Sequence, residues 1–337
     1  MRKIAIWVIG MSLILILLAG GIFYYRFNLK KVVEQPPIRI MVDPWPGNGL
    51  IFIAQEKGFF EQEGVNVNLS LGSYDTAINA YKNKEIDGFF LVYADLIFLF
   101  SEGFETKLVY VLDHSVGGDV IVSGQEINSL KDLRGKTIGI SGVNSFSNLF
   151  LIKLMEKAGI NEWEYFIKVV PVDKIVDSLK NKEIDAGHVW DPYKSQAVDQ
   201  GYKVIGSSNE TPFMIVEGFG ISSEFISNRP EEVQKIVSAL VRAKEFLDSN
   251  LEEGLEIMAR RNNLSVSEVE TGIKNSPLLS LKENSEVMQT TNSENSLYNS
   301  GRVITEFYMT RGQMSKMLDL NQLIEPKFIN KILGEKI

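Results

Sequence analysis

Five carboxylates stand where chemistry could happen. Asp43, Asp95, Asp113 and Asp191 each lie at or just past a short apolar run, and Glu217 sits inside Val216-Glu217-Gly218-Phe219. Few basic residues are near them in sequence. Buried carboxylates without cationic partners take up protons or recruit a cation. The pattern favours a ligand carrying an amine or ring N–H groups over a bare anion such as nitrate. The competing reading has these acids facing water or paired with Lys and Arg, the commoner fate of surface carboxylates. Two of the five are expected as true contacts. Aromatic residues share the same segments, and Trp45, Tyr93 or Trp190 could stack on a flat solute; Tyr74 is a further candidate contact. Loop tryptophans could equally pack domains together. Asn144 and Ser145 belong to the polar loop Ser141-Gly142-Val143-Asn144-Ser145, and Ser145-Phe146-Ser147-Asn148 opens a predicted helix. Free N–H groups, the dipole and hydroxyls there suit an acidic group, although Ser145 or Ser147 could simply cap the helix.

Other chemistry is excluded. The 337 residues contain no cysteine, which removes disulfides, thiolate nucleophiles, thiolate zinc sites and a lipid-modified cysteine. The two histidines, His114 and His188, lack neighbouring ligands at metal-binding spacing, so no metal and no cofactor is expected. Gly135-Lys136-Thr137 lacks the glycine a phosphate loop needs at position 130, which is Leu. Gly218-Phe219-Gly220 has no third glycine at dinucleotide-binding spacing. The net charge of −8 becomes −13 once the five basic residues of the first 31 are set aside. An acidic body argues against nucleic acid as a partner.

The elements that position these residues alternate. Strands are expected at Ile38–Val42, Val65–Leu69, Gly88–Val92, Leu108–Leu112, Val120–Ser123, Lys136–Ile140 and Ala186–Trp190. Helices are expected at Leu50–Glu63, Ala77–Lys84, Ser147–Ala158 and Asp173–Asn181. That alternation indicates an α/β fold with mostly parallel strands. Ligands of open α/β sheets sit beyond the carboxyl ends of strands, where Asp43, Trp45, Tyr93, Asp95 and Trp190 fall. Beyond Asn228 the chain turns helical, with Pro230, Glu231 and Glu232 suiting a first turn. Further helices are expected at Leu251–Arg261, Ser267–Asn275, Ser293–Thr310 and Asn321–Leu333.

One hexapeptide recurs. Lys82-Asn83-Lys84-Glu85-Ile86-Asp87 is repeated as Lys180-Asn181-Lys182-Glu183-Ile184-Asp185, each copy followed by a small residue and an apolar strand. Asp75 and Asp173, seven residues ahead of each copy, are expected helix caps. The repeat predicts two similar lobes, each with a helix–turn–strand unit in the same place.

Ile4–Tyr25 is 22 residues without a charge. As a helix it would be roughly 33 Å long, enough to cross a bilayer. Arg2 and Lys3 favour a cytoplasmic N-terminus. The apolar run exceeds the roughly 7–15 residues usual in a signal peptide, so an uncleaved anchor is favoured over cleavage near Ala19-Gly20-Gly21. The expected organisation is a membrane anchor at 1–31, a linker at 32–37 and an extracytoplasmic body.

Several segments, in order, resemble a family of ABC-transporter solute-binding proteins, the sulfonate/nitrate/taurine and thiamine-pyrimidine-precursor group. They are Asp43-Pro44-Trp45-Pro46-Gly47 with Ala54-Gln55-Glu56-Lys57-Gly58-Phe59-Phe60, Leu130 to Gly139, Ile184-Asp185-Ala186 through Trp190-Asp191-Pro192-Tyr193, and Asn228-Arg229-Pro230 to Phe246. The resemblance spans about residues 38–335. It implies a type II periplasmic-binding-protein fold: two α/β lobes joined by two crossover strands, preceded here by one transmembrane helix. Crossings are placed near Leu112–Gly118 and Val216–Phe219, giving lobe 1 as 38–112 with 218–337 and lobe 2 as 113–217. The ligand would lie between the lobes, which close by hinge motion.

The implied function is the extracytoplasmic solute-binding component of an ABC importer. It would be a monomer partnered by a membrane permease, and it would perform no chemistry. The expected cargo is a small nitrogen-containing solute, amino-sulfonate-like (taurine-like) or pyrimidine-like. The expected contacts are Asp43, Trp45, Tyr74, Tyr93, Asp95, Asp113, Asn144, Ser145, Ser147, Trp190, Asp191 and Glu217. Two alternatives are a sensor signalling through a membrane partner and an enzyme like the thiamine-pyrimidine synthases. The second is disfavoured because the cysteine-rich motif of those enzymes is missing.

Overall fold

Two five-stranded sheets are built from ten strands: β1 (Ile38–Val42), β2 (Val67–Leu71), β3 (Gly88–Val92), β4 (Thr106–His114), β5 (Val120–Ser123), β6 (Thr137–Ile140), β7 (Phe166–Val169), β8 (Ala186–Val189), β9 (Lys203–Ser207) and β10 (Val216–Ser222). The computed structural model describes residues 35–143, 145–289, 293 and 295–336. No helix among these residues is long and apolar enough to cross a membrane. The expected anchor at Ile4–Tyr25 lies outside them.

The strand orders are β2-β1-β3-β10-β4 and β7-β6-β8-β5-β9. They are the same arrangement twice, as the hexapeptide repeat predicts. The repeat marks one turn made in both halves. Lys84 and Lys182 take left-handed backbone conformations at φ 60° and 58°. Asp87 and Asp185 then accept from the backbone N–H of Arg39 and Thr137, each at 2.8 Å. Their own N–H groups donate back to the carbonyls of the same two residues. This ties the turn to β1 in one half and to β6 in the other. Asp75 and Asp173 do not cap. Ser73 accepts from Thr76 N–H at the start of Tyr74–Lys82, and Lys174 precedes Ile175–Lys180 with no side-chain cap.

Four of the five strands in each sheet run the same way, as the alternation predicts, and one strand in each is reversed. β1 pairs parallel with β2 and β3, and β6 with β7 and β8. The pairings of β10 with β3 and β4, and of β5 with β8 and β9, are antiparallel. The cause is the path of the chain. β5 is the first strand after the chain leaves the first sheet, and β10 is the first after it returns. Each runs against its neighbours, so its N-terminal end sits beside their carboxyl ends.

The connections between sheets are residues 115–119 and 208–215. The second lies ahead of the expected Val216–Phe219, because β10 already pairs from Val216 onward. Gly218 explains how β10 fits between β3 and β4. A Cβ there would lie 2.4 Å from the Tyr110 carbonyl oxygen. The two connections are bonded to each other. The Ser115 and Ser208 hydroxyls are 2.8 Å apart, and Gly117 N–H donates to Ser208.

The strands are apolar because helices cover them. β3 is buried along its whole length, as expected of a strand packed on both faces. Helices Leu50–Glu56, Pro230–Ser249 and Leu251–Asn262 bury Ile53, Val237, Leu240 and Met258 in the main core. Pro230 opens its helix with Glu231 and Glu232 in the first turn, as the sequence predicts. The expected single helix Leu50–Glu63 is broken at Gly58, which has φ 68°. A short helix at Leu281–Val287 has no counterpart among the expected elements. Its Asn284 side chain bonds both the N–H and the carbonyl of Val111, closing the outer edge of β4.

Candidate functional site

The carboxyl ends of β1 and β3 lead into Asp43, Trp45 and Val92, and β4 brings Asp113 to the same place. From the second sheet come Trp190 after β8 and Phe146, which starts helix Phe146–Lys157 after β6. The reversed strands add residues at their beginnings: Asp119 before β5, and Ile215 and Glu217 at the start of β10. With Tyr74 and Ser115, these eleven side chains line one cavity between the sheets. Its volume of about 20 Å³ is on the scale of a single water.

The walls are aromatic. Phe146 lies 5.4 Å from Trp190 and 5.9 Å from Tyr74, so rings borne by the two sheets meet here. Trp45 and Trp190 are buried. They are loop tryptophans that fill the space between the halves.

The floor is acidic. Trp45 Nε1 donates to Asp113 Oδ2 at 2.8 Å. Asn48 Nδ2 donates to Asp43 and, at 3.2 Å, to Glu217. Gly47 permits this packing, since a Cβ there would meet Asp113 Oδ2 at 2.5 Å. Asp43, Asp113, Asp119 and Glu217 are all buried, and none of the described lining residues is Lys or Arg. Burial pushes the Asp43 carboxyl up to about 7 against the pull of its hydrogen bonds. Burial also drives Asp113 up to about 8, with the charges of Asp119 and Asp43 adding to the effect. Glu217 is raised for the same reasons, burial first and then repulsion from Asp43 and Asp113.

A fifth acid bridges the halves. Asp95, in helix Tyr93–Ser101, accepts from Tyr74 Oη at 2.9 Å and from Phe146 N–H at 2.9 Å. The first free N–H of the Phe146–Lys157 helix is therefore held by a carboxylate from across the cleft. Burial raises Asp95 to about 7, the two donors opposing it.

Of the expected contacts, Asp43, Trp45, Tyr74, Asp113, Trp190 and Glu217 line the cavity. Others do not. Tyr93 is in the core, its hydroxyl against Gly301. Ser145 turns its hydroxyl to the Gly142 carbonyl. Asp191 Oδ1 accepts from Ser195 N–H and Oγ, at the start of helix Tyr193–Asp199. Asn144 lies outside the described residues. Ser147 is fully buried behind Phe146, 2.7 Å from His188 Nδ1, while His188 Nε2 is 3.0 Å from Asp119. Ser147 Oγ also accepts from Ser141 N–H. The two ring nitrogens of His188 thus link the Ser147 hydroxyl to Asp119. The trio has the outline of a nucleophile with its base, but the hydroxyl does not reach the cavity, and the chain fixes Asp119 in place. Among the described residues no His, Cys, Asp and Glu grouping is arranged for a metal ion.

Residues 32–260 match the model of the NMT1-like family. The chain belongs to that family. A Bacillus subtilis protein named for binding aliphatic sulfonates is 22% identical over 294 residues, 85% of each chain. Among solved structures, the alkanesulfonate-binding protein SsuA of Xanthomonas axonopodis pv. citri, bound to MOPS, superposes with a TM-score of 0.72 at 13% identity, covering 88% of this chain and 100% of that one. The desulfurization enzyme DSZB superposes at 0.66 with 16% identity, covering 89% and 100%. The fold is that of type II periplasmic binding proteins, with two mixed α/β sheets. That fold carries binding proteins and at least one enzyme alike.

Proposed function

We propose that this chain is the solute-binding component of an ABC importer, working outside the cytoplasm and tethered by residues 4–25. One observation carries the reading: a cavity of aromatic rings and hydrogen-bonding groups lies between two similar sheets, at the ends where α/β folds hold ligands. Family membership and the Bacillus relative support it. The lobes, expected as 38–112 with 218–337 and 113–217, are taken as 38–114 with 216–337 and 120–207, joined by 115–119 and 208–215. They hold a small nitrogen-containing solute between Trp45, Tyr74 and Trp190, and a membrane permease reads their closure. The protein acts as a monomer and performs no reaction, a reading supported by the burial of the Ser147–His188 pair away from the cavity.

The test is ligand-dependent stabilisation and compaction. A panel of amines, amino-sulfonates, pyrimidines and nitrate should include a class that raises the melting temperature and reduces the radius of gyration in solution scattering. Folded protein that responds to no member in either measurement would overturn the proposal.

A further inference from the structure

We infer that the solute is an organic cation without an acidic group, held by its protonated nitrogen among Asp43, Asp113 and Glu217; this rests on the solute-binding reading above. Three independent features lead there. First, the buried acids lack an internal counter-ion. The described lining offers no Lys or Arg, and its donors to these acids are the neutral groups Trp45 Nε1 and Asn48 Nδ2. Second, acceptors outnumber donors. Asn48 Oδ1, on the side chain that already donates to Asp43 and Glu217, is buried without a partner, which suits a donor-bearing ligand better than an acceptor-bearing one.

Third, the place an anion would take is filled. A helix N-terminus facing a cleft is the ordinary seat for a sulfonate or carboxylate. Here Phe146 N–H, the opening donor of a twelve-residue helix, is held by Asp95 of the opposite half. A sulfonate would have to displace that carboxylate and then sit beside four other acids. The space between the acids is about that of one water, so cargo of either charge enters only as the lobes part, and it is the charge of the lining that discriminates. A metal ion is not favoured, because the described side chains are not arranged to coordinate one. The surrounding rings of Trp45, Tyr74, Phe146 and Trp190 suit a cation, whose charge is attracted to aromatic faces.

Binding is then linked to protons. The groups facing the trio are Asp119 from the first connection, with His188 behind it, Asp95 with Tyr74 on the first-sheet side, and Lys82 acting on Asp95 from a distance. The raised acids hold protons near neutrality, and a cation expels them, so affinity rises with pH across roughly 6 to 8.5.

The experiment uses a small-molecule extract of the cells that make the protein, split on ion-exchange resins into cationic, anionic and neutral fractions. Each is added to the intact protein at pH 8 and pH 5.5. The cationic fraction should raise the melting temperature at pH 8, with at least a tenfold higher dilution limit than at pH 5.5. Asp113→Asn and Glu217→Gln should each weaken that response at least tenfold. Titration of the cationic fraction in buffers of different ionisation heat should show net proton release by wild-type protein, a readout independent of how the variants fold. A response to the anionic or neutral fraction alone, proton uptake, or unaltered responses in folded variants would overturn the cation assignment and leave solute binding standing. Silence from all three fractions would overturn both.

Discussion

Asp113 carries a proton at pH values where most carboxylates have lost theirs. Its folded pKa is raised to about 8, against about 3.9 in an unfolded chain. The folded state therefore binds the proton more tightly. The stability this provides is complete below the unfolded value and is lost as pH rises toward 8. Asp43 and Asp95, both raised to about 7, act in the same direction. Ligand-free protein should thus melt at progressively lower temperature between pH 5 and pH 8.5. Asp113→Asn, which can still accept from Trp45, should make that slope shallower and leave the variant more stable than wild type at pH 8.5. Melting followed by circular dichroism at both pH values decides the matter. Asn48 is the neutral counterpart. Its Nδ2 serves two acids, and Asn48→Ala should cost about 1–3 kcal/mol in urea unfolding by leaving both without that donor.

At the scale of elements, close packing at β10 sets the tolerance. Gly218→Ala would press a methyl against the Tyr110 carbonyl and Leu108 and should cost about 1–3 kcal/mol by the same unfolding measurement. The repeated turn makes the opposite prediction. Lys84 and Lys182 sit in the left-handed region, where an L side chain costs about 1–2 kcal/mol. Lys84→Gly or Lys182→Gly should leave stability unchanged or raise it, whereas Lys84→Val should lower it. Much of this is legible in the sequence. The apolar runs locate seven of the ten strands to within a few residues, miss β7 and β9 and show β10 only as a crossing, and the hexapeptide announces the second copy of the turn. The reversal of β5 and β10 is not legible, because it depends on how the chain crosses between sheets and not on any local pattern. The same cause hides part of the site. Asp119 and Ile215 precede their strands, and a search beyond carboxyl ends passes them over. Only the reversal of β5 and β10 carries those N-terminal ends to the cavity. Ser147 is a false contact for a different reason: its hydroxyl turns inward to His188, a partner 41 residues away.

For the whole molecule, the contacts spanning the two halves determine how the cleft rests without cargo. Asp95 to Phe146 N–H is a buried bond from one half to the other, and the Tyr74 and Phe146 rings meet beside it. Asp95→Ala removes the acceptor and should shift ligand-free protein toward open forms. Small-angle scattering should then report a larger radius of gyration than wild type, and tryptophan emission should move to longer wavelength as Trp45 and Trp190 meet water. An unchanged scattering curve would mean that other contacts keep the halves together.

The hydroxyls of Ser115 and Ser208 have a mechanical consequence. They stitch the outgoing and returning strands of chain into one two-ply ribbon, and a ribbon bends readily across its width but resists sliding of one ply along the other. Whatever moves here should swing about a single axle like a shutter, arriving at the same shut pose on every stroke.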